Sequence, residues 1–166
     1  MPPPALTTRR AVVADAETMV RTTGLGFATW RAFTPAGWSP DPAAHRLATA
    51  RYFLSRSDSF GLLAFVAGEP AGHCLMFRAT WDEPYSVILG QLFVRPAWWG
   101  TGLAEHLHAA FVERARAAGY PHAWLATPAA HARARRFYER RGWFADTLLE
   151  EHERLQMAIY CLRLSP

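Results

Sequence analysis

Lysine is missing from this chain: the 18 basic residues are all arginines, set against 14 acidic ones for a formal net charge of +4. We read that absence as coding bias rather than mechanism, and the overall charge by itself singles out no partner. Cysteine is nearly missing too. Cys74 and Cys161 each sit inside an apolar run, which excludes a disulfide framework and fits buried free thiols. No apolar run approaches the ~20 residues that cross a bilayer. Met1-Pro2-Pro3-Pro4-Ala5-Leu6 has no basic stretch leading into an apolar core, so no secretory signal is visible. The expectation is a cytoplasmic protein with no membrane partner. Repeats, linkers and low-complexity segments are absent beyond Pro2-Pro3-Pro4, so 1–166 is expected to form one domain with 1–6 as a short proline-rich tail. Hydrophobic residues make up 51% and charged residues 19%, which excludes a disordered chain.

What is present alternates between strand and helix periods. Thr8 to Val13 reads as a strand, and Asp15 is placed to cap a helix with Ala16, Met19, Val20 and Thr23 on one face. Gly24 and Gly26 weaken that helix, and the aromatic segment from Phe27 to Phe33 stops by Pro35. After the loop Pro35 to Pro40, Asp41 as N-cap and Pro42 at the first helical position open a second helix carrying Leu47, Ala50, Arg51 and Leu54. Three strands follow as an antiparallel meander, Phe60 to Val66, Ala71 to Trp81 and Ser86 to Val94, joined by turns at Ala67 to Pro70 and at Asp82-Glu83-Pro84. A helix runs from Gly102 to Gly119, with Leu103, Leu107, Ala110, Phe111 and Arg114 on one side. Ala123 to Ala126 is a short strand, and Thr127-Pro128 is expected to open a helix ending at Arg141 and Gly142. Trp143 to Glu151 and Leu155 to Leu164 close the chain as strands. The order β-α-α-β-β-β-α-β-α-β-β specifies an α/β fold with a mixed, largely antiparallel central sheet and helices on both faces.

Two stretches point to chemistry. Leu92-Phe93-Val94-Arg95-Pro96 followed by Trp98-Trp99-Gly100-Thr101-Gly102-Leu103-Ala104 is a strand, a glycine turn and a helix start. Glycines there let backbone N–H groups approach an anion at the positive end of a helix. Further on, His131, Ala134 and Tyr138 recur at helical spacing ahead of Gly142-Trp143. Tyr138 is either a core residue with a satisfied hydroxyl or a phenol presented at that face. Arg133, Arg135, Arg136, Arg140 and Arg141 crowd the same helix. Such a cluster could face a nucleic acid, a polyphosphate ligand or solvent. Because the arginines interleave with the Ala134/Tyr138 face and no nucleic-acid motif accompanies them, no nucleic-acid partner is expected.

Taken together, these two stretches and the element order resemble the GCN5-related N-acetyltransferase (GNAT) family over nearly the whole chain. The resemblance implies that Trp99, Gly100, Thr101, Gly102, Leu103 and Ala104 bind the pyrophosphate of acetyl-CoA through backbone amides, with Leu92, Phe93 and Val94 pairing with its pantetheine arm. His131, Ala134, Phe137 and Tyr138 fall on the family's helical motif, with Tyr138 as general acid toward the departing sulfur. The implied activity is direct transfer of an acetyl group from acetyl-CoA to a primary amine of a small molecule or peptide. No metal is implied, and family habit points to a homodimer. Two positions depart from the pattern. Trp99 stands where Arg or Gln is usual, so phosphate contact is expected to rest on amides, with an arginine from 133 to 136 as a candidate to assist them. His131 replaces an asparagine.

The strand from Ser86 to Val94 holds neither carboxylate nor histidine, where relatives place a base. Gln91 there can position water or the amine but takes no proton. His73 titrates near neutrality, and pairing Trp81 with Ser86 puts it opposite about Val94. A structural histidine at a sheet edge remains the competing reading, and the base is left unassigned. His106 and His108 are read as packing or solvent residues. Trp30 and Trp38 are the candidates for the acceptor wall, while Phe27 and Phe33 read as core. An alternative function, which the missing carboxylate favours, is a catalytically weak CoA-binding sensor or regulatory protein on the same fold.

Overall fold

In chain order the elements are β1 (Leu6–Arg10), α1 (Ala16–Ala28), α2 (Ala43–Ser55), β2 (Ser59–Val66), β3 (Glu69–Arg78), β4 (Val87–Val94), α3 (Leu103–Ala117), β5 (His122–Pro128), α4 (Ala132–Glu139), β6 (Phe144–His152) and β7 (Leu155–Arg163). They come from a computed structural model that describes residues 5–81, 85–152 and 155–164. The proline run Pro2-Pro3-Pro4 and the turn Asp82-Glu83-Pro84 lie outside the described residues. The seven strands form one sheet in the order β1-β2-β3-β4-β5-β7-β6, mostly antiparallel, as the alternation of periods predicts.

Period-two alternation in the central strands supplies a core on each face of the sheet. Leu62, Ala64, Cys74 and Met76 pack with Leu103, Leu107 and Phe111 of α3 and with Tyr138 of α4. Their neighbours Leu63 and Leu75 point the other way and pack with Ala11 and with Met19 of α1. Helices therefore cover both faces.

Several boundaries differ from the expectation, each for a local reason. β1 begins at Leu6 and ends at Arg10, because the Ala5 carbonyl already accepts from the Ala67 amide and the strand pairs Leu6 with Val66. Leu6, expected from the sequence to lie in the tail, is thus already in strand. Asp15 stands at the N-cap of α1 but does not cap it with its side chain: its carboxylate binds the Arg9 guanidinium at 2.8 Å on both oxygens and accepts from the Val12 amide at 2.8 Å. α1 passes through Gly24 and Gly26 unbroken. Gly26 is needed because a Cβ there would enter the Phe93 ring, so its absence lets α1 lie directly on β4. Pro42, not Asp41, is the N-cap of α2. Thr127 and Pro128 do not start a helix: they pair with Ala158 and Met157 as the end of β5, and α4 starts only after His131.

β4 has two features that build the site. First, it pairs with β5 in parallel only at Val87–Ala123 and Ile88–Trp124, after which the two strands part. Past Ile88 its β5-facing edge has no ladder partner among the described residues. Second, the β3–β4 register shifts at a bulge: Leu75 faces Gln91 while Met76 faces Leu89, leaving Gly90 as the extra residue. In a regular strand Leu89 and Gln91 would share a face. The bulge instead leaves Leu89 in the α3-side core and sends Gln91 to the α1/α2 side.

Candidate functional site

β4 leads through the short turn Pro96–Trp98 into Gly100 (φ 76°) and Gly102 (φ 86°), both in the left-handed region that favours glycine. Around either glycine a Cβ would meet nothing within 4 Å, so the space in front of the turn is open. Gly102 is the N-cap of α3 and no side chain caps the helix. The first-turn amides, including those of Leu103 and Ala104, therefore have no intrahelical acceptor, and the helix dipole places partial positive charge there. Thr101 is exposed, and its hydroxyl donates to the Trp98 carbonyl at 2.7 Å. Trp99 is 40% exposed, and its indole donates to the Val94 carbonyl at 2.9 Å. The Arg133 guanidinium lies over the Trp99 ring, 4.3 Å from its centroid. Trp99 thus brings to the turn, from α4, a cation that it lacks itself.

Among the other arginines of α4 and its C-terminal end, two are committed elsewhere. Arg135 donates to the Tyr160 hydroxyl at 2.9 Å and the Ala129 carbonyl at 3.1 Å, and Arg141 pairs with Glu105 at 3.0 Å over the Phe137 ring. Ala134 and Phe137 pack partly buried against the α3-side core. Tyr138 is 9% exposed and touches the rings of Phe137, Trp143 and Tyr160. Burial, reinforced by the nearby Cys74 thiol, raises its phenol well above the ordinary value, so it keeps its proton throughout the physiological range. Cys74 is on β3 opposite Leu92, and Tyr160 is on β7 opposite Leu125 of β5. Tyr138 accordingly sits where the two halves of the sheet divide. His131 lies apart from that face, at the N-cap of α4, with its ring 4.4 Å from Phe33 and 6.1 Å from Trp30. His108 is buried and accepts from the Trp143 indole at 2.8 Å, while His106 is exposed.

The opposite face of β4 opens on a cavity of about 360 Å³ between α1, α2 and β7. Trp30 and Trp38 stack at 5.5 Å, Phe27 meets Trp30 edge-on at 4.7 Å, and all three line it. Gln91 lines it from the sheet and Arg46 from α2. Behind Gln91 stands His73, with Nε2 at 2.8 Å from Gln91 Oε1. His73 pairs with Phe93 rather than Val94, because the strands part at Ala79 and Ser86 and Gly90 adds a residue. It is not at a sheet edge but on an interior strand with 0% exposure. Burial lowers its pKa to about 4, with the Gln91 hydrogen bond opposing, so the ring is neutral. Phe27, read from the sequence as core, instead lines the cavity, and nothing in the sequence singles out Arg46, because both placements depend on how α1 and α2 pack against each other.

Among the described residues no group of three or more His, Cys, Asp or Glu side chains is arranged to hold a metal ion. The model of the Acetyltransferase (GNAT) family matches residues 27–143. No curated protein matches the chain. Among solved structures, a GNAT-family protein from Desulfovibrio desulfuricans is similar at 23% identity and TM-score 0.78, covering 97% of this chain and 100% of that one. PaiA N-acetyltransferase from Thermoplasma acidophilum, solved in complex with coenzyme A, aligns at 13% identity and TM-score 0.69 over 96% and 99% of the two chains. For yncA from Salmonella typhimurium, solved with acetyl-CoA, the values are 19% and 0.70 over 98% and 95%. Matched by its family over most of its length, this chain belongs to the GNAT acetyltransferases.

Proposed function

We propose that this protein moves an acetyl group directly from acetyl-CoA to a primary amine of a small molecule or peptide. The observation that carries the reading is the two-sided exposure of β4 beyond Ile88. On one side lie the split from β5 and the glycine turn, on the other the aromatic cavity at Gln91. The residues present fit the donor: open space before Gly100 and Gly102, an uncapped helix start, and the Arg133 guanidinium held on Trp99 suit a pyrophosphate. The edge of β4 at Leu92, Phe93 and Val94, which has no ladder partner among the described residues beyond Ile88, suits a pantetheine arm; Ala134 and Phe137 of α4 and His131 at its N-cap are assigned to the same donor by their place in the family's helical motif.

Bound there, acetyl-CoA supplies a thioester whose acetyl carbon gains an N–C bond as its C–S bond breaks. Tyr138 retains its proton and gives it, or a hydrogen bond, to the departing sulfur, recovering the proton from water. β4 has no carboxylate, and His73 is occluded and neutral, so an ammonium acceptor loses its first proton to water beside Gln91 or before it enters; the proton that nitrogen sheds as the amide forms passes through water and replaces the one Tyr138 gives to sulfur. A thiol-release screen of acetyl-CoA with diverse amines tests the reading, expecting release that depends on the amine. Acetyl-CoA binding without any turnover would instead support a CoA-binding sensor, the reading that the lack of a base on β4 favours.

A further inference from the structure

The acceptor cavity is not uniformly greasy: Arg46 and Gln91 line it, with Asp41 and His45 paired to each other at its rim. Consider first Gln91. His73, neutral and fully enclosed, has a single N–H to place on one of two ring nitrogens. With the proton on Nε2 it donates to Gln91 Oε1 at 2.8 Å, and only the Nδ1 lone pair is left without a partner. With the amide reversed and the proton on Nδ1, a buried N–H would be stranded instead, a costlier orphan than a bare lone pair. The first arrangement therefore holds. It spends the Gln91 oxygen on His73 and leaves the amide –NH2 as the part of Gln91 that can serve the cavity.

Arg46 is the second polar group. Its Nε donates to the Asp41 carbonyl at 3.0 Å, and its Nη1 to the Thr23 hydroxyl at 2.8 Å and the Val20 carbonyl at 3.2 Å. These neutral acceptors fix the guanidinium plane without neutralising it. None of the ion pairs among the described residues includes Arg46. The rim carboxylate of Asp41 faces His45 at 3.8 Å instead. The cavity thus presents a fixed cation and an amide donor between the Trp30, Trp38 and Phe27 rings. An aromatic cage for a lone cation would be built without such a charge, because the ligand would meet a like charge in the wall.

We infer that the acceptor is an amine that also bears a carboxylate and a large apolar or aromatic group, as in a free aromatic α-amino acid, with Arg46 reading the carboxylate and Gln91 an oxygen beside it. This inference rests on the acetyl-transfer reading, and its test separates the two. N-Acetyl-L-phenylalanine and N-acetylphenethylamine differ only by the carboxylate, and each is titrated calorimetrically into the protein. The carboxylate compound is expected to bind at least ~10-fold tighter, as one charge-assisted hydrogen bond from the remaining N–H groups on Arg46 Nη2 would give. In Arg46→Gln, checked for an unchanged thermal midpoint and acetyl-CoA titration, that advantage should vanish. Equal binding of the two compounds, tighter binding of the one without a carboxylate, or binding of neither overturns the inference in the wild-type protein alone, whatever the fate of the variant. So does an advantage that survives Arg46→Gln. In parallel, kcat/KM is compared for L-phenylalanine and phenethylamine. Turnover without the preference sinks the carboxylate inference only, whereas the preference in binding with no turnover of either amine sinks the acetyl-transfer reading.

Discussion

Tyr138 and His73 are both buried, and burial gives them opposite fates. For the phenol, desolvation disfavours the anion and secures the proton it would donate. Tyr138→Phe preserves the ring contacts with Trp143 and Tyr160 and removes that proton. Steady-state kinetics should show kcat lower by ~10²-fold or more, with acetyl-CoA affinity nearly unchanged. An unchanged kcat would leave Tyr138 a packing residue. For the imidazole, desolvation disfavours the cation, and Nε2 is already occupied by Gln91. His73 is therefore no base, and His73→Ala should lower the rate by less than ~10-fold, through the loosened Gln91. Across amines of different basicity, the inflection of the pH–rate profile should move with the amine. One inflection near ~6.5 for every amine, abolished by His73→Ala, would make histidine the base after all. The sequence marked His73 as a candidate because a histidine's own pKa suits the task. Its enclosure depends on α1 pressing onto β4 at Gly26 and Phe93, which no local pattern records.

At the level of elements, the proposed anion site at the turn between β4 and α3 would act through backbone amides, so it is sensitive to backbone geometry. Gly102→Val forces a β-branched residue to φ 86° and fills the open space in front of the α3 amides. Calorimetry should show acetyl-CoA affinity down by ~10-fold or more in a protein that remains folded. If affinity is unchanged, the anion site is elsewhere. Arg133→Ala should weaken the same binding severalfold and flatten its dependence on ionic strength, because it removes a partly exposed cation while leaving the amides in place. The glycine turn, the long α3 and the meander are legible in the chain, since positive-φ glycines and period-two or helical alternation are local signals. The end of β5 is not. Thr127-Pro128 looks like a helix start, and only its pairing with Ala158 and Met157 makes it strand. The Gly90 bulge is equally hidden, yet it turns Gln91 to the cavity. Trp99 reads from sequence as a lost phosphate contact, and only the packing of α4 shows it carrying the Arg133 guanidinium.

For the molecule as a whole, acid should act through histidines buried as neutral rings. His73 and His108 are both lowered by burial from 6.5 to about 4, the latter helped by Arg141. A base whose folded pKa lies below its unfolded value stabilises fully above the unfolded pKa and loses that contribution as pH falls toward the folded one. The expected window is thus pH 6.5 down to 4, with up to roughly 3 kcal/mol at stake per histidine. Protonating His108 Nε2 also removes the acceptor of the Trp143 indole. Denaturant unfolding at stepped pH should show this slope, and His108→Gln, which keeps an acceptor without a titrating ring, should flatten it. A slope unaltered by His108→Gln would place the acid sensitivity elsewhere. Neither cysteine is suited to act as a covalent relay. Cys74 is pushed up to about 12 by burial, and burial raises Cys161 as well, so neither thiol is poised to accept an acetyl group. On the proposed reading, donor and acceptor meet across β4 in one complex. Initial rates measured over a grid of acetyl-CoA and amine concentrations test that directly, with intact-protein mass recorded alongside. Intersecting double-reciprocal lines with no acetyl group retained on the protein are predicted; parallel lines with an acetylated chain, or no amine-dependent rate at all, would contradict the account.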